Sequence, residues 1–173
     1  FLVDSGKILK LLSPEDPVGA DWERIDLRGG WVYPGFIDAH THSFSGGLYE
    51  NGVDLSNCCS IDDVLSLLFV AARQNPELVI GWRFDEGLIR EKRFPTVKEL
   101  DSVCPGSRLL LRRVDGHSCV LNSKARQAVP GLSSQEEVLI AQDNDLAVNW
   151  LQDNCSEETI LQAYHSAAQT ALR

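Results

Sequence analysis

Methionine is missing from all 173 residues, the first position included. A chain that opens on Phe1 without an initiator is expected to be trimmed or incomplete. Long apolar runs are missing too. No stretch approaches the roughly 20 residues of a membrane helix, so no membrane span is expected. The opening Phe1-Leu2-Val3-Asp4 lacks the basic and long apolar regions of a secretory leader. Positive charge is scarce: 16 Lys and Arg face 25 Asp and Glu, for a net charge of -9. That balance speaks against nucleic acid and anionic membranes as partners, because both need a basic patch. Its ordinary consequence is solubility. The five cysteines (Cys58, Cys59, Cys104, Cys119, Cys155) form no C-x-x-C pair. A disulfide framework or thiolate zinc site is not expected; buried, inert thiols in a reducing cytoplasm are. A G-x-S-x-G elbow, a phosphate-binding glycine loop and a dinucleotide fingerprint are all absent, which removes support for serine-nucleophile and nucleotide chemistry.

What is present suits a soluble α/β protein, with 43% hydrophobic and 24% charged residues. Residues 1–33 read as β-structure. Ser5-Gly6 marks a turn before a strand over Lys7–Leu12, and Ile25-Asp26-Leu27 reads as a second strand closed by Gly29-Gly30. Pro14, Pro17 and Gly19 make 13–21 a loop. Pro34 to His42 reads as a short buried strand, and Ser43 to Gly47 as small and flexible. Ser60 is a good N-cap for a helix with Asp62 and Asp63 in its first turn, stopped by Asn75-Pro76. Leu78–Trp82 reads as a buried strand. Thr96-Val97-Lys98-Glu99 has the capping-box pattern, Arg108–Val114 reads as a strand, and Asn122–Ala128 as a short helix. This alternation predicts parallel β/α units. The polar segment 131–155 is read as an insertion or loop around a short helix. Ser156 then caps a last helix with an apolar stripe of Ile160, Leu161, Tyr164, Ala168, Ala171 and Leu172; His165 sits at its edge, expected partly buried and without function.

The chemistry concentrates at His40 and His42. Side chains alternate along a strand, so histidines spaced i, i+2 share a face and suit one transition metal. An H-x-H pair near a turn is also common among ordinary polar residues. Asp38 shares that face and would orient a ligand histidine as a second-shell carboxylate. His117 follows a buried strand through Asp115-Gly116; it reads equally as a site residue or as a turn residue bonding a carbonyl. Phe84 and Asp85 follow another strand and would line the same mouth, while Asp85-Glu86-Gly87 also reads as a solvated turn. Arg112 and Arg113 lie within a strand, so one points inward and needs a carboxylate partner.

Pro-Gly-Phe-Ile-Asp-Ala-His-Thr-His, residues 34–42, resembles the first-strand signature of the amidohydrolase superfamily of metal-dependent hydrolases. Val53-Asp54-Leu55, Gly81 to Glu86, Phe94-Pro95-Thr96 and Arg112-Arg113-Val114-Asp115-Gly116-His117 resemble amidohydrolase family 3, a branch that includes N-substituted formamide deformylases. Arg83-Phe84-Asp85 departs from the branch's more frequent Gly-Trp-Asp. The resemblance implies the N-terminal part of a (β/α)8 TIM-type barrel over 34–173, preceded over 1–33 by strands of a small β-sandwich domain. It implies a divalent metal, zinc before others, held by His40 and His42, with His117, Asp85 and Phe84 toward the substrate. The family's remaining ligands and its catalytic aspartate come from later strands and have no counterpart here; the 137 residues from Ile37 to Arg173 fall short of the roughly 250 of a full barrel. The implied activity is hydrolysis of C–N bonds in small amide-like or formamide-like molecules, with deamination or cyclic-amide hydrolysis as the alternative within the superfamily. A different reading is a catalytically incomplete fragment or interaction module, since catalytic zinc needs at least three protein ligands. An unpaired sheet edge would also favour self-association into a homo-oligomer.

Overall fold

A computed structural model describes residues 1–172. The chain divides into two compact units, Phe1–Ala39 and His40–Arg173.

In the first unit, β1 (Leu2–Asp4) and β2 (Lys7–Lys10) form an antiparallel hairpin. Ser5 (φ 48°) and Gly6 (φ 75°) make its turn, the left-handed pair that matches strand twist in two-residue hairpins. Residues 13–21 form the expected loop, in which the Asp16 N–H donates to the Ser13 carbonyl at 3.0 Å. The strand expected at Ile25–Leu27 is not formed. There the Asp26 carboxylate accepts the Arg28 N–H at 2.8 Å, and the Gly30 N–H donates to the Leu27 carbonyl at 2.9 Å. Side chain and backbone together satisfy a turn where a strand would have needed a neighbour. Residues 34–42 form no strand either, and no ladder includes them. Phe36 and Ile37 are exposed at 101% and 94%, so the expected buried strand is corrected to an open segment. Apolar side chains alone do not make a strand; its N–H and C=O groups must also be paired.

The second unit opens with α1 (Ser43–Glu50), where a flexible stretch was expected. It continues through β3 (Val53–Asp54), α2 (Ile61–Gln74), β4 (Leu78–Phe84), α3 (Val97–Val103), β5 (Arg108–Arg113), β6 (Ser118–Leu121), α4 (Ser123–Ala128), β7 (Val138–Ile140), α5 (Ala141–Asp153) and α6 (Glu157–Ala171). The caps read from sequence are present. Ser60 accepts the Asp63 N–H, Thr96 and Glu99 complete a capping box, and Ser156 accepts the Thr159 N–H.

One open sheet runs in the order β3-β4-β5-β6-β7. β3, β4 and β5 are parallel, whereas β6 and β7 are antiparallel to their neighbours. The purely parallel rhythm is therefore corrected to a mixed sheet. Its cause is the turn after β5: the Gly116 N–H donates to the Arg113 carbonyl at 3.0 Å, and Gly116 takes φ 75°. A reversal that tight returns the chain antiparallel, since a parallel neighbour needs a long crossover. The segment 131–155 is likewise corrected, from a loop to β7 plus a 13-residue helix.

Alternation along the strands splits the interior in two. Val79, Leu109, Leu111 and Val120 face α2 and α3. Ile80, Leu110, Cys119, Leu121 and Leu139 face the opposite layer, with Leu48 of α1, Trp150 and Leu151 of α5 and Ala163 of α6. Strands covered on both faces explain the unbroken run Leu109-Leu110-Leu111. Fully burying each leucine contributes about 1.5–3 kcal/mol.

α6 does not bury the stripe expected of it. Leu161 and Tyr164 are half exposed or more, and Ala163 is the buried residue. The reason lies in α1, whose Gly47 is so close that an added Cβ would sit 1.8 Å from the Ala163 carbonyl oxygen. Small residues that suggested a flexible loop instead make a smooth helix face. Among the described residues no helix is long and apolar enough to cross a membrane.

Candidate metal and substrate site

His40 and His42 stand at the start of the second unit, and His42 occupies the N-cap position of α1 without a side-chain capping bond. Their rings are 5.3 Å apart between centroids and nearly perpendicular, at 88°. Two imidazoles on one tetrahedral zinc, each at about 2.0–2.1 Å, hold their ring centres about 5 Å apart. The observed spacing fits two ligands of a single ion. Both histidines are exposed, so an ion reaches them without unfolding. A hollow of about 240 Å³ beside His42 is lined by Thr41, Gly46, Gly47, Glu50 and Thr170 among others. Among the described residues no group of three or more His, Cys, Asp or Glu converges as a metal cage. Asp38 belongs to the first unit, two positions before His40.

The strand-end residues sort differently from expectation. Phe84 is wholly buried and packs on Phe94 with ring centroids 5.0 Å apart. It is therefore corrected from a mouth residue to part of the core beneath α2 and α3. The cause is an irregularity in the β4–β5 register between Gly81 and Phe84, where Arg83 takes φ 57°. Such a bulge sends the next side chain to the other face. Asp85 makes the turn that was the alternative for it, its Oδ1 accepting the Gly87 N–H at 2.8 Å.

His117 lies exposed on the turn after β5, near the C-terminal end of the parallel strands. Its backbone N–H donates to Asp115 Oδ1 at 2.9 Å. That bond, with the nearby Arg113 guanidinium, holds the Asp115 carboxyl below its ordinary range. Arg113 also forks onto Glu86, Nε to Oε2 at 2.9 Å and Nη2 to Oε1 at 2.9 Å, which lowers the Glu86 pKa. The turn that carries His117 is thus tied to the end of β4. Alongside it runs an open groove of about 590 Å³, lined by Glu86, Phe94, Arg113, Asp115, His117 and Asn144 among others.

Arg113 found the carboxylates its position called for, but Arg112 did not. Arg112 donates to the Tyr49 hydroxyl and, through Nη2, to the Gly116 carbonyl at 2.7 Å. The Arg112 guanidinium also lies 4.9 Å from the centre of the Tyr49 ring. Among the described residues no carboxylate comes within ion-pair distance of it. Tyr49 and Asn144, which meet Arg112 and the Gly116 carbonyl, were not singled out from sequence. Asn144 sat in a stretch read as loop, and the helix carrying Tyr49 was not foreseen.

The family model described as the amidohydrolase family matches residues 23–173. An N-substituted formamide deformylase from Arthrobacter pascens is 35% identical over 135 residues, covering 74% of this chain and 25% of that protein. Protein LONG AFTER FAR-RED 3 of Arabidopsis thaliana is 29% identical over 142 residues, covering 78% of this chain and 24% of that protein. The chain spans about a quarter of the length of these curated relatives. An uncharacterized metal-dependent hydrolase from Pyrococcus horikoshii OT3 superposes with a TM-score of 0.66 at 21% identity, over 80% of this chain and 29% of that one. That likeness is one of fold.

Proposed function

Because the chain belongs to the amidohydrolase family, we propose that it is the metal-anchoring part of a hydrolase that cleaves C–N bonds in small amide-like or formamide-like molecules. The observation that carries this reading is the His40–His42 pair, with rings at the separation two ligands of one ion require. A divalent metal there, zinc before others, would polarise the scissile carbonyl and lower the pKa of bound water. His40 and His42 would hold it. His117, fixed by Asp115 and open to the groove, would donate a hydrogen bond to the substrate oxygen. The turn at Asp85 would shape the rim.

On this reading residues 34–173 are early units of a β/α barrel and 1–33 contribute strands to a small β-sandwich. A reducing cytoplasm is the compartment we propose for it. The test is zinc titration of the chain followed by calorimetry. Wild type is expected to bind one equivalent, and His40→Ala or His42→Ala to weaken binding by about tenfold or more. Equal affinity in all three proteins would sink the metal assignment. Hydrolysis of a formamide panel by a longer protein that includes these residues then tests the reaction class.

A further inference from the structure

Three buried side-chain polar atoms among the described residues have no hydrogen-bond partner: Trp82 Nε1, Arg112 Nε and Asn144 Oδ1. They are not scattered. Gly81 pairs with Leu111 across β4 and β5, so Trp82 and Arg112 follow each other's partner on neighbouring parallel strands. A Cβ on Gly81 would meet Leu55 and Leu68, on the α2 side, so alternation sends Trp82 to the opposite face. Arg112 is on that opposite face as well, beside Tyr49 of α1. Asn144 joins them from α5, its Nδ2 3.4 Å from the same Gly116 carbonyl that accepts Arg112 Nη2. One end of one face of the sheet therefore holds every buried polar side-chain atom left unpaired in the described chain.

Burying such atoms without partners costs about 1–3 kcal/mol each, so three together call for a physical reason. Their chemistry is directional. Trp82 and Arg112 each offer an N–H. The Tyr49 oxygen already accepts from Arg112, which leaves its own proton to donate. Arg112 also carries a positive charge that no carboxylate of the described chain neutralises. The one free acceptor is Asn144 Oδ1. Its amide cannot be reversed without cost, because Nδ2 faces two acceptors, the Gly116 carbonyl and Asp145 Oδ1. The left-handed Arg83 lies directly beside Trp82, and non-glycine residues in that conformation gather at ligand sites.

We propose that Trp82, Arg112, Tyr49 and Asn144 form a binding site for a small carboxylate whose neighbouring carbon bears an O–H or N–H. The carboxylate oxygens accept from Arg112 Nε and Trp82 Nε1, with the Tyr49 hydroxyl as third donor. The adjacent O–H or N–H donates to Asn144. Tyr49, Trp82 and Arg112 are each partly exposed, and Asn144 lines the groove beside His117. The site stands independently of the metal and of the proposed hydrolysis.

The test uses the metal-free chain and three probes: propionate, lactate and propylammonium. Propionate is expected to move one indole N–H signal in the proton NMR spectrum saturably, and that signal is the one lost in Trp82→Phe. Arg112→Gln weakens binding by about tenfold or more, as loss of a charge-assisted pair does. Lactate binds about threefold tighter than propionate, and Asn144→Ala removes that preference. Propylammonium leaves the signal in place. Should Arg112→Gln fail to fold, Arg112→Lys and Tyr49→Phe serve in its stead, with the same direction of effect. Equal response to propylammonium, no saturable response to either anion, or tighter binding of inorganic phosphate than of propionate would each overturn the carboxylate assignment.

Discussion

Replacing Asn122 by alanine is expected to be among the most damaging single changes to the second unit. The side chain is fully buried and makes four hydrogen bonds. Its Oδ1 accepts the Leu109 N–H at 3.0 Å in β5 and the Ala125 N–H at 3.0 Å in the first turn of α4. Its Nδ2 donates to the Cys104 carbonyl at 3.1 Å and the Ser107 carbonyl at 2.8 Å. One carboxamide thus ties β5, the cap of α4 and the turn after α3. Alanine removes all four bonds and leaves two donors and two acceptors in the interior. Each hydrogen bond contributes about 1 kcal/mol net, and each orphaned group adds a desolvation cost. Water admitted to the space left behind offsets part of this, so the expected loss is about 3–5 kcal/mol, a large share of the roughly 5–15 kcal/mol of a whole domain. The assay is equilibrium urea unfolding followed by far-UV circular dichroism. At a slope of about 2 kcal/mol/M, the midpoint falls by about 2 M. Asn122→Asp keeps the two acceptor bonds but sets a carboxylate against two carbonyls, and is expected to be no milder. A loss under about 1 kcal/mol for Asn122→Ala would refute the reasoning.

Other outcomes follow from the same geometry. Gly47→Ala drives a methyl into the Ala163 backbone and is expected to cost about 2–4 kcal/mol, read as a lowered midpoint with α6 losing hydrogen-exchange protection first. The Arg93 guanidinium, with the Thr96 N–H and hydroxyl, draws the Glu99 carboxyl down to about 2 from its ordinary 4.5. Stability from a depressed carboxyl is present above its unfolded value and lost as pH falls through the folded one. Glu99→Gln should therefore flatten the stability loss between those two values. The effect is about 1 kcal/mol because both side chains are partly exposed and screened. Burial pushes the Cys119 thiol up to about 12 and Cys104 up to about 11, while Cys59 is exposed. Ellman's reagent should label Cys59 rapidly in the folded chain and those two only on unfolding; Cys59→Ser should remove the fast phase.

Local signals in the sequence were legible where one short stretch contains both the cap and the face it serves. Ser60, Thr96 and Ser156 sit within a few residues of the N–H groups they satisfy, and all three helices begin where those residues stand. Elements set by distant partners were not legible. Ser43 to Gly47 carries no helical stripe of its own; its form depends on contact with Ala163. Residues 34–42 have the apolar content of a strand yet join no sheet of the described residues. The same division holds for the site. His40 and His42 were readable because two positions of spacing bring the rings together. The layer of Tyr49, Trp82, Arg112 and Asn144 draws on four elements, which no window of sequence displays at once.

The α1–α6 seam has a consequence for synthesis. Its bonds join residues 115 and 120 positions apart, Asn51 to Ser166 and Glu50 to Thr170, and Gln152 of α5 adds a bond to Ser45. A ribosome therefore delivers the imidazole pair well before α6, the helix that packs on α1 directly after the pair. During that interval the nascent N-terminal stretch is available to proteases and to stray copper or nickel, and a chaperone that shelters it would act on the unfinished chain rather than the folded one.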